Sequence, residues 1–446
     1  MIPKVQYKHY LLILLTVVAT FNLVDRFVLS LVLESIKQEF QLSDSQLGFL
    51  TGFAFAAFYA VAGIPIARWA DRGNRNTIIT LTTGLWSAMV ALCALAGSFT
   101  QLLLMRVGIA VGEAGCMPPA NSLISDYFDR AERPRAMAIY WLCGPLAIII
   151  GYLGGGWLVE HFGWRMTFII IGFPGILLAL LVKFTLREPR LKQDYLIADP
   201  QLPLKDVLAT LWQQRTLRNI IMAFTVTYFF GMGLAQWLPT FFMRSYDLEA
   251  AEVGAWFALT LGVGGGVGTC LGGYLIARYA GCREALQMRC CAAMFIMTGF
   301  FYVMIFLSAH QYQAIFFLSL VAGIGGMLNP PIFSAIQSLV SERMRSVTLA
   351  VVFLLANFIG MGLGPLAVGA LSDLLVLSFG QESLRYALAA FAPGLVWPAF
   401  YYWKAAKTIE VDIKAFESEA SLTEQACGSS DMNPNAQIPQ SALGLK

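Results

Sequence analysis

The chain has 446 residues, 58% of them hydrophobic and only 13% charged, with a mean hydropathy of +0.66. Soluble domains run near roughly 45–50% apolar and about 25% charged, so a water-soluble fold is excluded by the apolar surface it would have to hide. A net charge of +3, with no Lys/Arg cluster interleaved with aromatics, argues against nucleic acid as a partner.

A helix needs about 20 apolar residues to cross a hydrocarbon core of about 30 Å, so about twelve spans with short loops consume most of this length. Apolar windows bounded by charges and turn residues predict helices over 10–33, 46–69, 78–97, 101–125, 136–159 and 164–184, then 219–243, 252–277, 288–308, 312–338, 347–372 and 384–405. The first run carries Asn22, Asp25 and Arg26 and outlasts a cleaved signal, so it reads as a retained first helix.

The predicted fold is an all-α polytopic membrane protein with twelve transmembrane helices in two pseudo-symmetric six-helix bundles. Residues 1–185 form the first bundle and 219–407 the second. The polar stretch 186–218, with Pro189, Pro200 and Pro203, reads as a cytoplasmic linker, and the polar residues 408–446 as a disordered tail.

Lys37, Arg165, Arg244 and Arg385 fall on one side of this topology and Arg26 and Arg106 within spans, while the remaining Lys and Arg gather on the other side. Positive residues favour the cytoplasmic side, so both termini are expected there. The eight cysteines lie mainly in apolar runs without a C-x-x-C pair and read as packing residues.

The halves echo each other. Glu132-Arg133-Pro134-Arg135 after helix 4 returns as Glu342-Arg343-Met344-Arg345 after helix 10, and Pro118-Pro119 answers Pro330-Pro331. Glycines crowd helices 5, 8 and 11, including Gly154, Gly155 and Gly156, Gly264, Gly265 and Gly266, and Gly360, Gly362 and Gly364. They read as close-packing seams, static or sliding. Such repeats at equivalent positions point to halves related by an axis along the membrane normal.

Four ionisable residues sit deep in the predicted spans: Asp25 and Arg26 on helix 1, Arg106 and Glu113 on helix 4. Each costs about 2.5–3.5 kcal/mol in lipid on insertion scales, so they must face the bundle interior or one another. With a rise of about 1.5 Å per residue, Asp25 and Arg106 both lie about 8 Å below the same membrane edge and can meet. Glu113 shares the face of Arg106 but lies about 10 Å deeper, near the midplane. We read Glu113 as the principal proton carrier, with Asp25 and Arg106 as a switchable pair; Arg26 lies about 100° around its helix from Asp25. A permanent packing network is the structural alternative.

The stretch Gly63-Ile64-Pro65-Ile66-Ala67-Arg68-Trp69-Ala70-Asp71-Arg72-Gly73-Asn74-Arg75 after helix 2 resembles motif A of the major facilitator superfamily. Ala67 and Asn74 stand where that family commonly has glycine, and the second-half counterpart ending at Ala277-Arg278 lacks the acid. The resemblance implies that Asp71, Arg72 and Arg75 latch the cytoplasmic ends of the two halves. Phe21-Asn22-Leu23-Val24-Asp25-Arg26, Leu42-Ser43-Asp44-Ser45-Gln46-Leu47-Gly48 and Gly112-Glu113-Ala114-Gly115 resemble the Spinster-like branch. That likeness implies proton-linked movement of lysolipids or sphingoid phosphates in some members.

In the superfamily, helices 7 and 10 line the cavity with helices 1 and 4. They offer Tyr228, Phe230, Gln236, Trp237, Asn329 and Phe333 without a charge. With Arg106 and Glu113 opposite, this suits an amphipathic substrate whose head sits near Arg106.

The expected function is therefore secondary transport by alternating access, driven by a proton gradient without a cofactor, by a monomer in the lipid bilayer. The cargo is an amphipathic lysolipid-like or sphingoid-like molecule; the alternative is a small organic anion or drug-like compound gripped by Arg106. No H-E-x-x-H, nucleophile elbow or Walker A signature is present, and only His9, His161 and His310 are available, so an enzyme, a metal centre or an ATP-driven pump is not expected.

Overall fold

The computed structural model describes residues 4–129, 131–189, 209, 211–281, 283–340 and 342–430, and within them the apolar runs fold as helices ended by local chemistry. Helix α1 (Lys4–Phe40) stops where Gln41 turns left-handed (φ 53°). Ser43 and Gln46 then form a reciprocal capping box that opens α2, which runs through Asp44–Gly48, a π turn at Phe49–Phe53, and Ala54–Arg72. Asn74 caps α3 (Arg75–Cys93) and Ser98 caps α4. Helix α4 comes in two pieces, Phe99–Glu113 and Met117–Tyr127, because Pro118 and Pro119 cannot donate back into the preceding turn.

Helix α5 starts at Arg133–Trp141, continues through Cys143–Ile149 and a π turn at Ile150–Gly154, and ends at Gly163. There φ is 72°, a conformation only glycine adopts without strain, and α6 follows to Thr185. The second half repeats this order: α7 (Arg215–Tyr246); α8 (Ala250–Phe257, a π turn at Ala258–Gly264, Gly265–Tyr279); α9 (Glu284–Leu307); α10 (Gln311–Ser338). Then come α11 (Glu342–Leu355, a π turn at Ala356–Met361, Gly362–Phe379) and α12 (Ser383–Phe391, Ala392–Leu395, Val396–Ser430). Ten stretches among the described residues are long and apolar enough to span a membrane, and the breaks at Gly163 and Gly380 divide two of them to give twelve helices.

Two sequence expectations shift. The helix expected unbroken over 101–125 is interrupted between Glu113 and Met117, ahead of Pro118-Pro119, whereas α10, with Pro330-Pro331, runs continuous as expected. The tail expected to be disordered from 408 instead begins as a continuation of α12 to Ser430, whose run of Glu, Lys and Ala residues favours helix once in water. Residues 431–446 and most of the linker lie outside the described residues.

The apolar core shows how the halves sit. One cluster joins them, from Val32, Ile36 and Leu47 of the first half to Leu238, Phe241 and Leu384 of the second. Towards the termini it gives way to two separate clusters, one built only from the first half around Leu15, Leu123 and Tyr140, the other only from the second around Phe224, Ile336 and Tyr402. The molecule is therefore a wedge, closed on the side away from the termini and parted on the side that carries them. The closed seam is made by α2 against α11 and by α5 against α8. All four of these helices carry a π turn.

Candidate functional site

The deep charges of α1 and α4 meet at the apex of the wedge as two ion pairs. Arg106 Nη1 donates to Asp25 Oδ2 at 3.1 Å, and both residues are about 1% exposed. Arg26 donates from Nε (2.9 Å) and Nη2 (2.5 Å) to Glu113 Oε2, and Glu113 is wholly buried. Glu113 occupies the last residue of the first α4 piece, so the proline-enforced break sets its position. Asp25 Oδ1, Arg106 Nε and Glu113 Oε1 are buried without a hydrogen bond among the described residues.

The sequence-derived residues divide accordingly. Asp25 and Arg106, expected at one depth, are in contact. Glu113, expected beyond reach of Arg106, is held by Arg26 instead. The arginine that keeps contact with the wedge is also Arg26: its side chain is 21% exposed, against 2% for Arg106, and its Nη1 reaches Met361 Sδ of the second half at 3.8 Å. A substrate head placed on Arg106 thus conflicts with this geometry, because Arg106 is sealed against Asp25.

The expected cavity wall in the second half also changes. Trp237 is fully buried between α7 and α11, where its Nε1 donates to the Pro365 carbonyl at 2.9 Å. Phe230 packs on Phe391 of α12, ring centroids 4.7 Å apart, so it faces its own half. Tyr228 packs at a tilt on Phe224, and Phe333 joins Phe224 and Phe353 in one aromatic group. Gln236 is half-buried and Asn329 exposed. Aromatic periodicity on one helix could not tell the cavity from the neighbouring helix.

Arg75 is completely buried and bonds Ser122 and Asp126 of the first half and Glu188 just beyond α6, none of them in the second half. The latch expected between halves is therefore not made by Arg75 in this parted state. The side chains of Asp71 and Arg72 lie outside the described residues; both close the last turn of α2.

A second charge cluster bridges the halves on the closed side; of its members the sequence reading used Lys37 and Arg244 for orientation and Asp44 only in the Spinster-like resemblance. Asp44, fully buried at the start of α2, receives both Arg244 guanidinium nitrogens at 2.9 Å, Lys37 at 2.6 Å and the Ser372 hydroxyl at 2.7 Å. Arg244 also reaches Glu34 at 2.5 Å. Asp373 of α11 accepts the backbone N–H groups of Asp44 (2.9 Å) and Ser45 (2.8 Å), the unpaired donors of α2's first turn.

The family model described as Major Facilitator Superfamily matches residues 15–365. The chain belongs to that superfamily. Its members are transporters, and this chain is an integral membrane transporter rather than an enzyme. It is 32% identical over 403 residues to an "MFS-type efflux pump" of Mycolicibacterium smegmatis, covering 90% of this chain and 92% of that one. A structure titled as a bacterial homolog to the human lysosomal transporter Spinster, inward-facing and unoccupied, superposes with a TM-score of 0.80 at 31% identity, covering 91% of this chain and 98% of that one. A "Probable L-galactonate transporter" of Escherichia coli is 28% identical over 276 residues, 59% of this chain and 60% of that one. The Spinster-like resemblance of the first half thus extends over most of the superfamily transporter's length.

Proposed function

We propose that the protein is a proton-coupled secondary transporter that works by alternating access and carries an organic anion, with Arg26 as the anion contact and Glu113 as the proton carrier. The observation that carries this reading is the Arg26–Glu113 pair itself. Its acid is fully buried, while its base keeps a fifth of its side chain exposed and touches the opposite half. An incoming carboxylate or phosphate competes with Glu113 for the same guanidinium. A carboxylate that loses its cation in a dry site neutralises by taking a proton, because a lone buried charge costs far more than a neutral acid. Anion binding and proton uptake are then one event. The Asp25–Arg106 pair, with nothing exposed, holds α1 against α4 beside it.

With the termini taken as cytoplasmic from the distribution of Lys and Arg, the described state is read as inward-facing. A second reading keeps the same anion contact but gives the cargo a sphingoid or acyl body. The 31% identity to the Spinster homolog favours it; the burial of Trp237 and the packing of Phe230 within their own half weigh against it.

The test is flux in proteoliposomes under an imposed pH gradient, with a panel of aldonates and aldarates beside lysophospholipids and sphingoid phosphates. Glu113→Gln should abolish gradient-driven accumulation while leaving exchange at equal pH. Glu113→Gln protein that still concentrates cargo on a proton gradient removes Glu113 from the role. Unaltered transport by Arg26→Gln removes the anion contact.

A further inference from the structure

Between the two ion pairs lies one side chain that the sequence reading passed over. Phe55 is 1% exposed and stands on α2 two residues beyond its π turn. The Arg26 guanidinium carbon lies 4.7 Å from the centre of its ring and that of Arg106 lies 5.0 Å from it. Tyr59, one turn on, stacks on Phe55 at 5.7 Å and meets the same Arg26 at 5.6 Å. A ring face is electron-rich, so a guanidinium is drawn to it, and more strongly where water is excluded. Two cations on one ring, Arg106 buried and Arg26 partly so, would otherwise repel each other with little between them.

We propose that Phe55 is the positioning residue of this site: its ring holds both arginines on their acids, Arg26 on Glu113 and Arg106 on Asp25, and ties both pairs to the movement of α2.

The link to α2 is structural. Gly52, in the π turn, lies so close to α11 that a methyl group there would come within 2.5 Å of the Gly362 carbonyl. Met361, the neighbouring residue, is the one that touches Arg26. A shift of α11 against α2 therefore reaches the guanidiniums by two routes, through Met361 directly and through the Phe55 ring. An aliphatic residue of similar volume would fill the space but give the cations no face. That separates positioning from packing.

The inference deepens the proposed transport role, and its test uses no substrate, so a failure of that role and a failure of Phe55 are told apart. Dicyclohexylcarbodiimide enters membranes and adds to buried protonated carboxyl groups, and mass spectrometry of the purified full-length protein locates the adduct. At one fixed pH, Phe55→Leu and Phe55→Met should label at Glu113 and Asp25 roughly fivefold faster than the unaltered protein, as the loss of about 1 kcal/mol of cation–π attraction requires. Phe55→Tyr and Phe55→Trp should stay within about twofold, because they keep the face. Using two variants of each kind guards against one that fails to fold. Any other order overturns the proposal, including equal rates throughout or the same acceleration in all four.

Discussion

Replacing Arg244 with alanine should open the closed side of the wedge, and the size of the effect follows from burial. Arg244 spends two hydrogen bonds on Asp44, which is fully buried, and one on Glu34, whose side chain is 22% exposed. Breaking a buried pair from one side costs about 3–5 kcal/mol, whereas a pair that water partly reaches, like Arg244–Glu34, is worth nearer about 1 kcal/mol, so the Asp44 contact decides the outcome. Lys37 and Ser372 stay with Asp44 in the variant, which sets the loss at the low end, about 3 kcal/mol. Once the halves part, Asp44 is hydrated and the penalty disappears. The closed-to-open ratio on that side should therefore fall by roughly a hundredfold. Spin labels at Gln38→Cys on α1 and Glu249→Cys before α8, in a background without other reactive cysteines, read this as a longer population in pulsed dipolar spectroscopy. Glu34→Gln should move the ratio less than about fivefold. An Arg244→Ala distance distribution indistinguishable from that of the unaltered protein would refute the reasoning.

Three further outcomes follow from the same geometry. Arg106→Ala leaves Asp25 buried without a cation and should destabilise the protein by about 3 kcal/mol in thermal unfolding, with most of the loss recovered in the Arg106→Ala, Asp25→Asn double variant. Gly52→Ala forces a methyl group against the Gly362 carbonyl and should lengthen the same label distance while slowing turnover. Trp237→Phe removes the donor to the Pro365 carbonyl and should cost about 1 kcal/mol of stability with no change in substrate KM; a large KM effect would return Trp237 to the cavity wall.

What the sequence made legible is what depends on periodicity and on the cost of charge in lipid. Apolar windows place all twelve helices, yet α1 was expected to end at 33 and runs to Phe40. The window stopped at Glu34, Lys37 and Glu39, charges that the helix keeps because each has a partner: Arg244, Asp44 and Arg165. The Asp25–Arg106 contact is one that equal depth allows. The Arg26–Glu113 contact is not, because Arg26 extends along the bundle over the Phe55 and Tyr59 rings to reach an acid well away from its own level. Nothing in the spacing of Phe55 distinguishes it from ordinary core. Asp44, Lys37 and Arg244 were visible as outer charges, but which half each one bridges is a property of how the helices tilt.

The closed side is built from one device used twice, and the two copies differ in strength. On α5, Gly156 and Glu160 are four residues apart on one helix face; on α11, Gly369 and Asp373 are four apart in the same way. Each glycine lets the start of a helix from the other half come into backbone contact, Gly156 against Ala250 and Gly369 against Asp44. Each acid then takes free N–H groups of that helix: Glu160 bonds Ala251 at 3.1 Å, and Asp373 bonds Asp44 and Ser45. Both α8 and α2 are thus capped across the seam by the opposite half. Glu160 is exposed, so water can replace it, and its loss should cost less than about 1 kcal/mol. Asp373 is half-buried, serves two backbone donors and the Ser45 hydroxyl, and adjoins the Arg244–Asp44 pair, so its loss should cost about 3 kcal/mol. Asp373→Ala should then open the labelled side at least roughly tenfold more than Glu160→Ala. That asymmetry matters for coupling, because the stronger seam is the one whose π turns carry Gly52 and Met361 and lead directly to Phe55 and Arg26. Equal opening by the two variants would mean that the buried charges around Asp44 contribute nothing beyond the caps.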